Sequence, residues 1–438
     1  MSSGYIYVKQ SGPLHGKVSL DGAKNAVLAI MASLLLTSGK SVLKNVPALS
    51  DVDQMIGVLE SVGAVIFFDK ENNCLEVDTS HLQSNKIAQD CVKKFRASFL
   101  ILGPLLARFK NVQLAFPGGD EIGARPLDYH IKNFIKMGAQ ITHQSGLLQA
   151  HATELHAQKI VLDYPSVGAT ENLMMALVLI PGKSSIINAA LEPEVLDLIE
   201  VLKKMGARIK VVAPAMIQID GVSSLKPVEH TVIPDRLEAG SILIAGALTG
   251  GDIYIPDAIV RDMDLFLMKL EEMGHTIICG KHGKGVRIKG SKTPQAVSFK
   301  TAPYPGLATD LQPMMMVAQV VANGTSNVVE TVFENRFLHV PELHKMGANI
   351  QASGHFAKVT GINVLNGTSV VATDIRAACA LALAGLVAHG ETIIEGLHHW
   401  NRGYETFDEK LRMLGAFIEL RQDKFEILGH QKPVEKEL

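Results

Sequence analysis

The chain has 438 residues, 47% of them hydrophobic and 20% charged, and its 42 basic and 44 acidic side chains give a formal net charge of −2. This composition is typical of a globular protein with two or three domains, and it lacks the basic excess of nucleic-acid-binding proteins. The four cysteines form no CxxC pair, which argues against a disulfide scaffold or a zinc site. The first residues carry no apolar signal-peptide core, and the longest apolar run is about half the roughly 20 residues that span a bilayer. We therefore expect a cytoplasmic protein without membrane insertion or a nucleic-acid partner.

A short phrase recurs six times along the chain: an apolar helical pattern, a glycine and then a β-rich stretch, as in LKKMGARI and LEEMGHTI. The glycines of this phrase are Gly63, Gly138, Gly206, Gly274, Gly347 and Gly415, which lie 75, 68, 68, 73 and 68 residues apart. Glycine in this position predicts the left-handed cap that ends a helix. Each repeat is therefore expected to contain a helix, a strand, a second helix and a further strand.

Two arrangements could accommodate six such units. A solenoid would stack them in a line, whereas a closed assembly would gather them into two groups of three. The units are long for a solenoid and the loops between them differ greatly in sequence, so we favour the closed assembly. That assembly leaves a cleft between two lobes, where ligands commonly bind.

Two candidate binding motifs stand at helix starts in the first part of the chain. Lys24 and Asn25 open an apolar helix, and a lysine beside a helix N-terminus can bind an anion. An exposed lysine in that position is also often a solvated charge. Arg96 precedes another long apolar helix with no acidic residue within a turn, although it could form a salt bridge to a distant residue. Both anion binding and a structural role remain open for these side chains.

The glycine-rich segment 116–126 predicts a mobile loop that can close over a ligand. Asp120 lies at the tip of this loop and Arg125 at its base. A plain hairpin turn would also use a Gly-Gly-Asp sequence, so the loop alone does not distinguish a catalytic from a structural role.

Further helix starts carry polar and charged residues in the later repeats. Ser166, Val167 and Gly168 offer hydroxyl and backbone donors just before a helix, where a serine is also an ordinary N-cap. Asp310 stands at another helix start, where an acid is equally a common cap. The other charged residues of this pattern are Glu334, Arg336, Asp374, Arg376, Arg402 and Glu405.

One lysine and five arginines occupy comparable helix-start positions in different repeats. They are Lys24, Arg96, Arg125, Arg336, Arg376 and Arg402. When repeats close around an axis, such positions converge on a common cleft. Because arginine matches phosphate and carboxylate groups in bidentate geometry, the expected ligand is multiply anionic.

The phrases DGAKNA, PGG-x-x-IGARP, SVGAT, TD-x-Q, ETVFENRF-x-HVPEL and RGYE occur together and in order. From about Tyr7 to about Ile427 the sequence resembles the UDP-N-acetylglucosamine 1-carboxyvinyltransferase family. The resemblance implies an α/β (α+β) fold of two inside-out α/β barrels, each built from three repeats. The first barrel is expected at 22–233, with the catalytic loop 116–126, and the second at 1–21 and 234–438.

The resemblance also implies roles for residues at matching positions. The expected catalytic residues are Lys24, Asp120, Asp310 and Arg402. Those expected to bind phosphoenolpyruvate are Lys24, Asn25, Arg125 and Arg402. Those expected to bind UDP-N-acetylglucosamine are Arg96, Arg125, Pro126, Leu127, Asp128, Tyr129, Ser166, Val167, Gly168, Asp310 and Val332. The expected supporting residues are Glu334, Arg336 and Arg376, and neither a metal nor another cofactor is expected.

The family's reaction is addition of a sugar 3-hydroxyl to phosphoenolpyruvate followed by loss of phosphate, the first committed step of peptidoglycan synthesis. Asp310 is similar to the carboxylate credited with taking the hydroxyl proton. This sequence has Asp120 where most members have cysteine, so a carboxylic acid would deliver the proton to C3, and resistance to fosfomycin is expected. Asn401 stands where the family often has aspartate, and Leu100 where some members have tryptophan.

Three other interpretations of the sequence remain. The sister enzyme of the shikimate pathway shares the fold but not these phrases, and it would bind no nucleotide. A non-catalytic repeat scaffold, such as a clamp, would need a basic lining rather than arginines on ligand-like motifs. An inactive paralogue would explain Asp120, but the chain retains Lys24, Arg125, Asp310 and Arg402.

Overall fold

The structure, a computed structural model, describes residues 4–82, 87, 96–115, 122–123, 127–144 and 146–422. Its helices are α1 Lys24–Ser33, α2 Ser50–Ser61, α3 Leu102–Phe109, α4 Asp128–Lys136, α5 Val167–Leu177, α6 Pro193–Met205, α7 Arg236–Thr249, α8 Asp264–Glu272, α9 Gln312–Val320, α10 Val340–Lys345, α11 Ile375–Gly385, α12 Leu397–Trp400 and α13 Phe407–Met413. Two short 3₁₀ helices precede α3 and α9, at Arg96–Ile101 and Thr309–Leu311.

The strands are short and follow the helices at regular intervals. They are β1 Tyr5–Lys9, β2 His15–Lys17, β3 Lys40–Lys44, β4 Val65–Asp69, β5 Cys74–Asp78, β6 Asn111–Ala115, β7 Gln140–Gln144, β8 Leu147–His151, β9 Lys159–Val161, β10 Lys183–Ile187, β11 Arg208–Val212, β12 Met216–Asp220, β13 Glu229–Thr231, β14 Asp252–Ile259, β15 Thr276–Cys279, β16 Lys284–Lys289, β17 Phe299–Lys300, β18 Thr325–Val329, β19 Asn349–Ser353, β20 Phe356–Thr360, β21 Leu365–Asn366, β22 Ser369–Val371, β23 Ala388–His389, β24 Glu391–Glu395 and β25 Phe417–Arg421.

Each repeat forms one small sheet. In the first repeat β3 and β4 both pair antiparallel with β5, and β13 adds a parallel edge, which gives the order β13-β3-β5-β4. The other repeat sheets have the orders β6-β8-β7, β11-β12-β10-β9, β15-β16-β14-β2, β17-β18-β20-β19 and β22-β24-β1-β25. Because β13 comes at the end of the first group of repeats and pairs with β3 at its start, that group closes on itself. The closed assembly is therefore confirmed over the solenoid.

The repeated glycines end helices as the sequence predicts. All six have a positive φ, between 90° at Gly274 and 110° at Gly206. Gly206 is the left-handed cap of α6, and its N–H donates to the carbonyl of Lys203. Residues with a side chain rarely adopt this backbone conformation, which explains why glycine recurs at the same point of each unit.

The helices at the centre of each lobe are mostly apolar and are buried on nearly every side. In α1 every residue except Asn25 is buried, and α11 is buried along its whole length. A helix of this kind must lie in a core rather than at a surface. The central helices are α1, α3 and α5 in one lobe and α7, α9 and α11 in the other, with the sheets packed outside them. No helix in the part of the chain that the structure describes is long and apolar enough to cross a membrane.

Two separate hydrophobic cores result from this packing. The first contains buried residues from Ala23 to Val232. The second contains the N-terminal residues Ile6 to Leu20 together with Leu237 to Ile418. The two cores lie on opposite sides of the domain limits expected from the sequence. Those limits remain a proposal.

The chain passes between the lobes at two points that lie side by side. The N–H of Asp235 donates to the carbonyl of Asp21 at 2.9 Å, and the N–H of Ala23 donates to the carbonyl of Ile233 at 2.8 Å. Asp235 is also the N-cap of α7, accepting hydrogen bonds from two backbone N–H groups through its side chain. Because α1 begins at Lys24, directly after one crossing, this lysine lies where the two lobes meet.

Candidate functional site

A cleft of about 450 Å³ lies between the two lobes. This volume is within the roughly 300–1,000 Å³ that is common for small-molecule sites. Both lobes line it, the first through the starts of α1, α4 and α5 and the second through segments 302–310 and 332–334. Of the residues expected from the sequence, it contains Asn25, Arg96, Leu127, Tyr129, Ser166, Val167, Gly168, Asp310, Val332 and Glu334.

A buried ion cluster next to the cleft joins the two lobes. The Nζ of Lys24 lies 2.7 Å from Oδ2 of Asp51, and the Nε of Arg402 donates to Oδ1 of the same carboxylate at 2.9 Å. Lys24 and Asp51 belong to the first lobe, whereas Arg402 follows α12 in the second. A backbone hydrogen bond from the N–H of Ser50 to the carbonyl of Asn401, 3.1 Å long, crosses at the same place. Asn401 thus contributes to this contact through its main chain, whatever its side chain.

Burial and the neighbouring charges shift the pKa values of this cluster in opposite directions. Lys24 is only 6% exposed, and burial lowers the pKa of its ammonium although Asp51 acts to raise it. Burial acts to raise the pKa of Asp51, but Lys24 and Arg402 together bring it below its usual range. The carboxylate therefore stays ionised and supplies the counter-ion that two cations share.

Asp51 was not expected from the sequence. It lies in the first turn of α2, where an acidic residue favours the helix dipole and needs no further explanation. Its partner Arg402 is 351 residues away in the chain. The only indication in the sequence is that Lys24 is the first residue of an apolar helix. A lysine that is buried in such a position needs an acidic partner.

Asp310 is held at both carboxylate oxygens by two arginines. Nε and Nη2 of Arg376 donate to Oδ2 at 3.1 and 2.9 Å, and Nη2 of Arg336 donates to Oδ1 at 3.2 Å. Arg336 in turn lies 3.4 Å from Asp374, the N-cap of α11. The side chain of Asp310 remains 26% exposed on the cleft, whereas both guanidinium groups are buried. The arrangement orients one carboxylate toward the cleft and stabilises its ionised form.

The structure therefore corrects one expectation about the arginines. The sequence placed Arg336 and Arg376 among cations that converge on the ligand. Neither is among the residues that line the cleft in the part of the chain described, and both instead bind Asp310. Their expected role as supporting residues is compatible with these contacts.

The start of α5 presents hydrogen-bond donors to the cleft. Ser166 is its N-cap, with Oγ accepting from the N–H of Ala169 at 3.4 Å. The unpaired N–H groups of a helix start and the helix dipole together favour an anionic group. Arg96 lies on the same cleft. This combination suits a phosphate-containing ligand.

His130 forms part of the wall beside α5 and is uncharged. Its Nδ1 lies 3.1 Å from the amide nitrogen of Asn172, and its ring packs edge-on against Phe99. Burial, assisted by the charge of Arg96, lowers the pKa of His130 to about 3. Of the neighbouring residues expected at the site, Leu127 and Tyr129 line the cleft, whereas Asp128 is exposed and not part of its lining.

Part of the predicted catalytic loop lies outside the described residues. Asp120, Arg125 and Pro126 fall in this part, so their roles remain predictions. The described residues Ile122 and Gly123 contact the second lobe, where the N–H of Asn335 donates to the carbonyl of Ile122 at 3.0 Å. A Cβ atom at Gly123 would lie 2.3 Å from a carboxylate oxygen of Glu334, so a side chain there would require this carboxylate to move. Among the described residues, no group of three His, Cys, Asp or Glu could hold a metal ion.

Comparison with known proteins identifies the family to which this chain belongs. A family model described as EPSP synthase (3-phosphoshikimate 1-carboxyvinyltransferase) matches residues 8–411. UDP-N-acetylglucosamine 1-carboxyvinyltransferase 1 of Caldanaerobacter subterraneus subsp. tengcongensis is 48% identical over 411 residues, covering 94% of this chain and 98% of the relative. The protein of that name from Staphylococcus aureus is 47% identical over 420 residues, covering 95% and 99%. The chain belongs to the UDP-N-acetylglucosamine 1-carboxyvinyltransferase family.

Solved structures confirm the fold expected for this family. The enolpyruvyl transferase NikO from Streptomyces tendae superimposes with a TM-score of 0.87 at 24% identity, covering 96% of this chain and 99% of that protein. EPSP synthase from Acinetobacter baumannii gives a TM-score of 0.74 at 18% identity over 95% of this chain and 99% of that one. The family resemblance and the α/β fold predicted from the sequence are both confirmed, and the chain is a transferase.

Proposed function

We propose that this protein transfers the enolpyruvyl group of phosphoenolpyruvate to the 3-hydroxyl of UDP-N-acetylglucosamine and releases phosphate. The names of relatives 47–48% identical over 94–95% of the chain support this reaction. The structural observation that carries it is Asp310, a carboxylate fixed by two arginines and turned to a cleft between the lobes. The product would be the first committed precursor of peptidoglycan, made in the cytoplasm.

Asp310 is suited to act as the general base. Both of its oxygens are already oriented by guanidinium groups, and the side chain still reaches the cleft. A base must be ionised and within hydrogen-bond distance of the proton that it removes. The two arginines favour the ionised state, in which the carboxylate can accept the proton of the sugar hydroxyl as its oxygen attacks C2.

Lys24, Asn25 and Arg402 are suited to bind phosphoenolpyruvate. Asn25 lines the cleft, and Lys24 and Arg402 stand beside it with Asp51 between them. Fixed cations around the phosphate and carboxylate stabilise the charge that develops as the tetrahedral adduct forms and breaks down. Asp51 orients both cations before substrate arrives, so we assign it a positioning role.

Proton delivery to C3 of phosphoenolpyruvate is assigned to Asp120. A carboxylic acid can donate this proton only while it is protonated, so the closed site must raise its pKa. An aspartate cannot form the thioether that a cysteine thiolate forms with the epoxide of fosfomycin. Activity is therefore expected to survive this drug, and the reaction as proposed uses small-molecule substrates without a metal, a redox cofactor or nucleic acid.

Phosphate release from phosphoenolpyruvate tests the proposal directly. Release should require UDP-N-acetylglucosamine, should not occur with shikimate 3-phosphate, and should continue after preincubation with fosfomycin. Asp310→Asn should lower kcat by about 10²–10⁴-fold, whereas Asp264→Asn, at an exposed position at the start of α8, should leave it unchanged. No release, or release with shikimate 3-phosphate alone, would refute the proposed substrate. Inactivation by fosfomycin with mass added to the protein would refute the assignment of Asp120.

A further inference from the structure

Tyr404 is a buried aromatic residue of the second lobe, two residues after Arg402 in the RGYE phrase. It is 2% exposed, and its ring packs against those of Trp400 and Phe407, with ring centroids 5.2 and 4.9 Å away. A phenylalanine would fill the same space and make the same ring contacts. The contacts of the hydroxyl group therefore decide whether this tyrosine does more than pack.

The hydroxyl group of Tyr404 accepts a hydrogen bond from Arg376. Nη1 of Arg376 donates to Oη at 3.1 Å, and the guanidinium carbon lies 5.5 Å from the centre of the tyrosine ring. The same arginine donates to Oδ2 of Asp310 through Nε at 3.1 Å and through Nη2 at 2.9 Å. Each nitrogen of this buried guanidinium is therefore bound, either by the carboxylate or by the tyrosine.

The proton of Tyr404 has its own neighbours. Oγ of Ser241, on α7, lies 3.4 Å from Oη, and the hydroxyl of Ser241 already donates to the carbonyl of Leu237 at 2.9 Å. Oγ of Ser241 is thus an acceptor for Tyr404, and the thiol of Cys379 contacts the same hydroxyl. Burial raises the pKa of Tyr404 above its usual value, so the phenol stays protonated. Its lone pairs remain directed to Arg376.

The backbone before Tyr404 lies directly against the start of α11. A Cβ atom at Gly403 would lie 2.3 Å from Cγ2 of Ile375, the first residue of α11. A side chain at position 403 would therefore require the buried Ile375 to move. The glycine allows residues 402–404 to approach the helix start that carries Arg376.

We propose that Tyr404 is a positioning residue whose hydroxyl holds the guanidinium of Arg376 in the orientation that binds Asp310. This inference rests on the proposed function, in which Asp310 is the general base. Because a guanidinium is planar and rigid, a hydrogen bond at Nη1 also fixes the directions of Nε and Nη2. Tyr404 is not among the described residues that line the cleft, so it acts through Arg376 rather than on the substrate.

Tyr404→Phe removes the hydroxyl and keeps the ring. It should lower kcat by about 3- to 10-fold, because a hydrogen bond to a charged group is lost and Arg376 holds Asp310 less firmly. KM for both substrates should change by less than about twofold, since no substrate contact is removed. Tyr7→Phe is the matched control: Tyr7 lies on β1, its hydroxyl contacts Lys9 and Glu391, and kcat should stay at the wild-type value.

The pH dependence of kcat separates positioning from packing. kcat should fall on the acid side as Asp310 takes up a proton. The charged groups that contact this carboxylate are Arg376 and Arg336, with Asp374 beside Arg336. In Tyr404→Phe the less firmly held Arg376 stabilises the ionised carboxylate less, so the acid limb should move to higher pH. An acid limb at its wild-type position, with only Tm lowered, would mean that the hydroxyl serves stability alone and would overturn the inference.

A double-mutant cycle identifies the group on which Tyr404 acts. In an Asp310→Asn background, Tyr404→Phe should change kcat by less than about twofold, because the carboxylate that depends on Arg376 is already absent. A loss of kcat as large as in the wild-type background would overturn the inference. A raised KM for phosphoenolpyruvate would overturn it as well, since that result would mean that Tyr404 acts through its neighbour Arg402.

Failure of the proposed function gives a different pattern of results. If Asp310→Asn alone keeps the wild-type kcat, Asp310 is not the base, and both the base assignment and the role of Tyr404 are refuted. If Asp310→Asn is slow while Tyr404→Phe keeps the wild-type kcat and pH profile, the role of Tyr404 alone is refuted.

Discussion

Asp51→Asn removes the carboxylate that Lys24 and Arg402 share while keeping the size of the side chain. Lys24 is buried and contacts Asp51 at 2.7 Å, so the substitution deprives its ammonium of this counter-ion. Removing one partner of a buried ion pair costs about 3–5 kcal/mol of folding free energy. At about 2–4 °C per kcal/mol for domains of roughly 150–250 residues, this loss lowers Tm by about 6–20 °C.

Asp53→Asn is the matched control, because it changes the same residue type on the same helix. Asp53 pairs with Lys70 at 2.9 Å, but both side chains are about half exposed. Exposed pairs of this kind contribute about 0–1 kcal/mol. Thermal unfolding of the two variants at pH 7 should therefore give clearly different Tm values. Equal small changes in Tm would refute the conclusion that Asp51 is a buried, shared counter-ion.

Ligand and pH provide two further checks on the same variant. Phosphoenolpyruvate should restore part of the lost Tm to Asp51→Asn, since its phosphate and carboxylate give Lys24 and Arg402 new counter-ions. The folded protein holds the pKa of Asp51 below the usual value of 3.8. The stability difference between wild type and variant should therefore be complete above that pH, shrink as the pH falls below it, and be lost once the pH has passed the lower, folded-state pKa.

Three other substitutions test separate parts of the site. Ser166→Ala removes the N-cap of α5 and should cost about 1 kcal/mol in thermal unfolding, together with weaker binding of UDP-N-acetylglucosamine by calorimetry. Because the pKa of His130 is lowered to about 3, the unfolded chain takes up a proton at this residue below about pH 6.5 and the folded chain does not. Denaturant unfolding at pH 7.5 and 5 should therefore show a smaller loss of stability at low pH for His130→Asn than for wild type. Arg376→Lys loses the two-bond contact with Asp310 and should lower kcat by about 10-fold or more, whereas Arg287→Lys, at an exposed pair, should not.

The fold could be predicted from the sequence because its signals are local and repeated. The six glycine phrases indicate where a helix ends and a strand begins, and β11 and β25 each begin two residues after the glycine of their phrase, Gly206 and Gly415. The apolar character of α1 likewise predicts a central helix. These features depend on a few neighbouring residues, so a single sequence is enough to recognise them.

The partners within the site could not be predicted in the same way. Asp51 meets Arg402 across 351 residues, and its position in the first turn of α2 looks like an ordinary response to the helix dipole. Glu171 lies between Thr170 and Asn172 in α5, and nothing in the sequence shows that this residue lines the cleft. Such contacts follow from how the two lobes are placed, which no local pattern encodes.

The pairing of the cations explains how the site can hold a highly charged substrate without being unstable in its absence. A cleft lined by bare lysine and arginine would be destabilised by their mutual repulsion and by burial of their charge. Here one aspartate lies between Lys24 and Arg402, and another between Arg336 and Arg376. Each carboxylate neutralises part of the charge and fixes the direction of two cations. If Lys24 and Arg402 bind the anionic substrate as proposed, they are already oriented when it arrives, so most of the entropy cost of ordering them falls on folding rather than on binding.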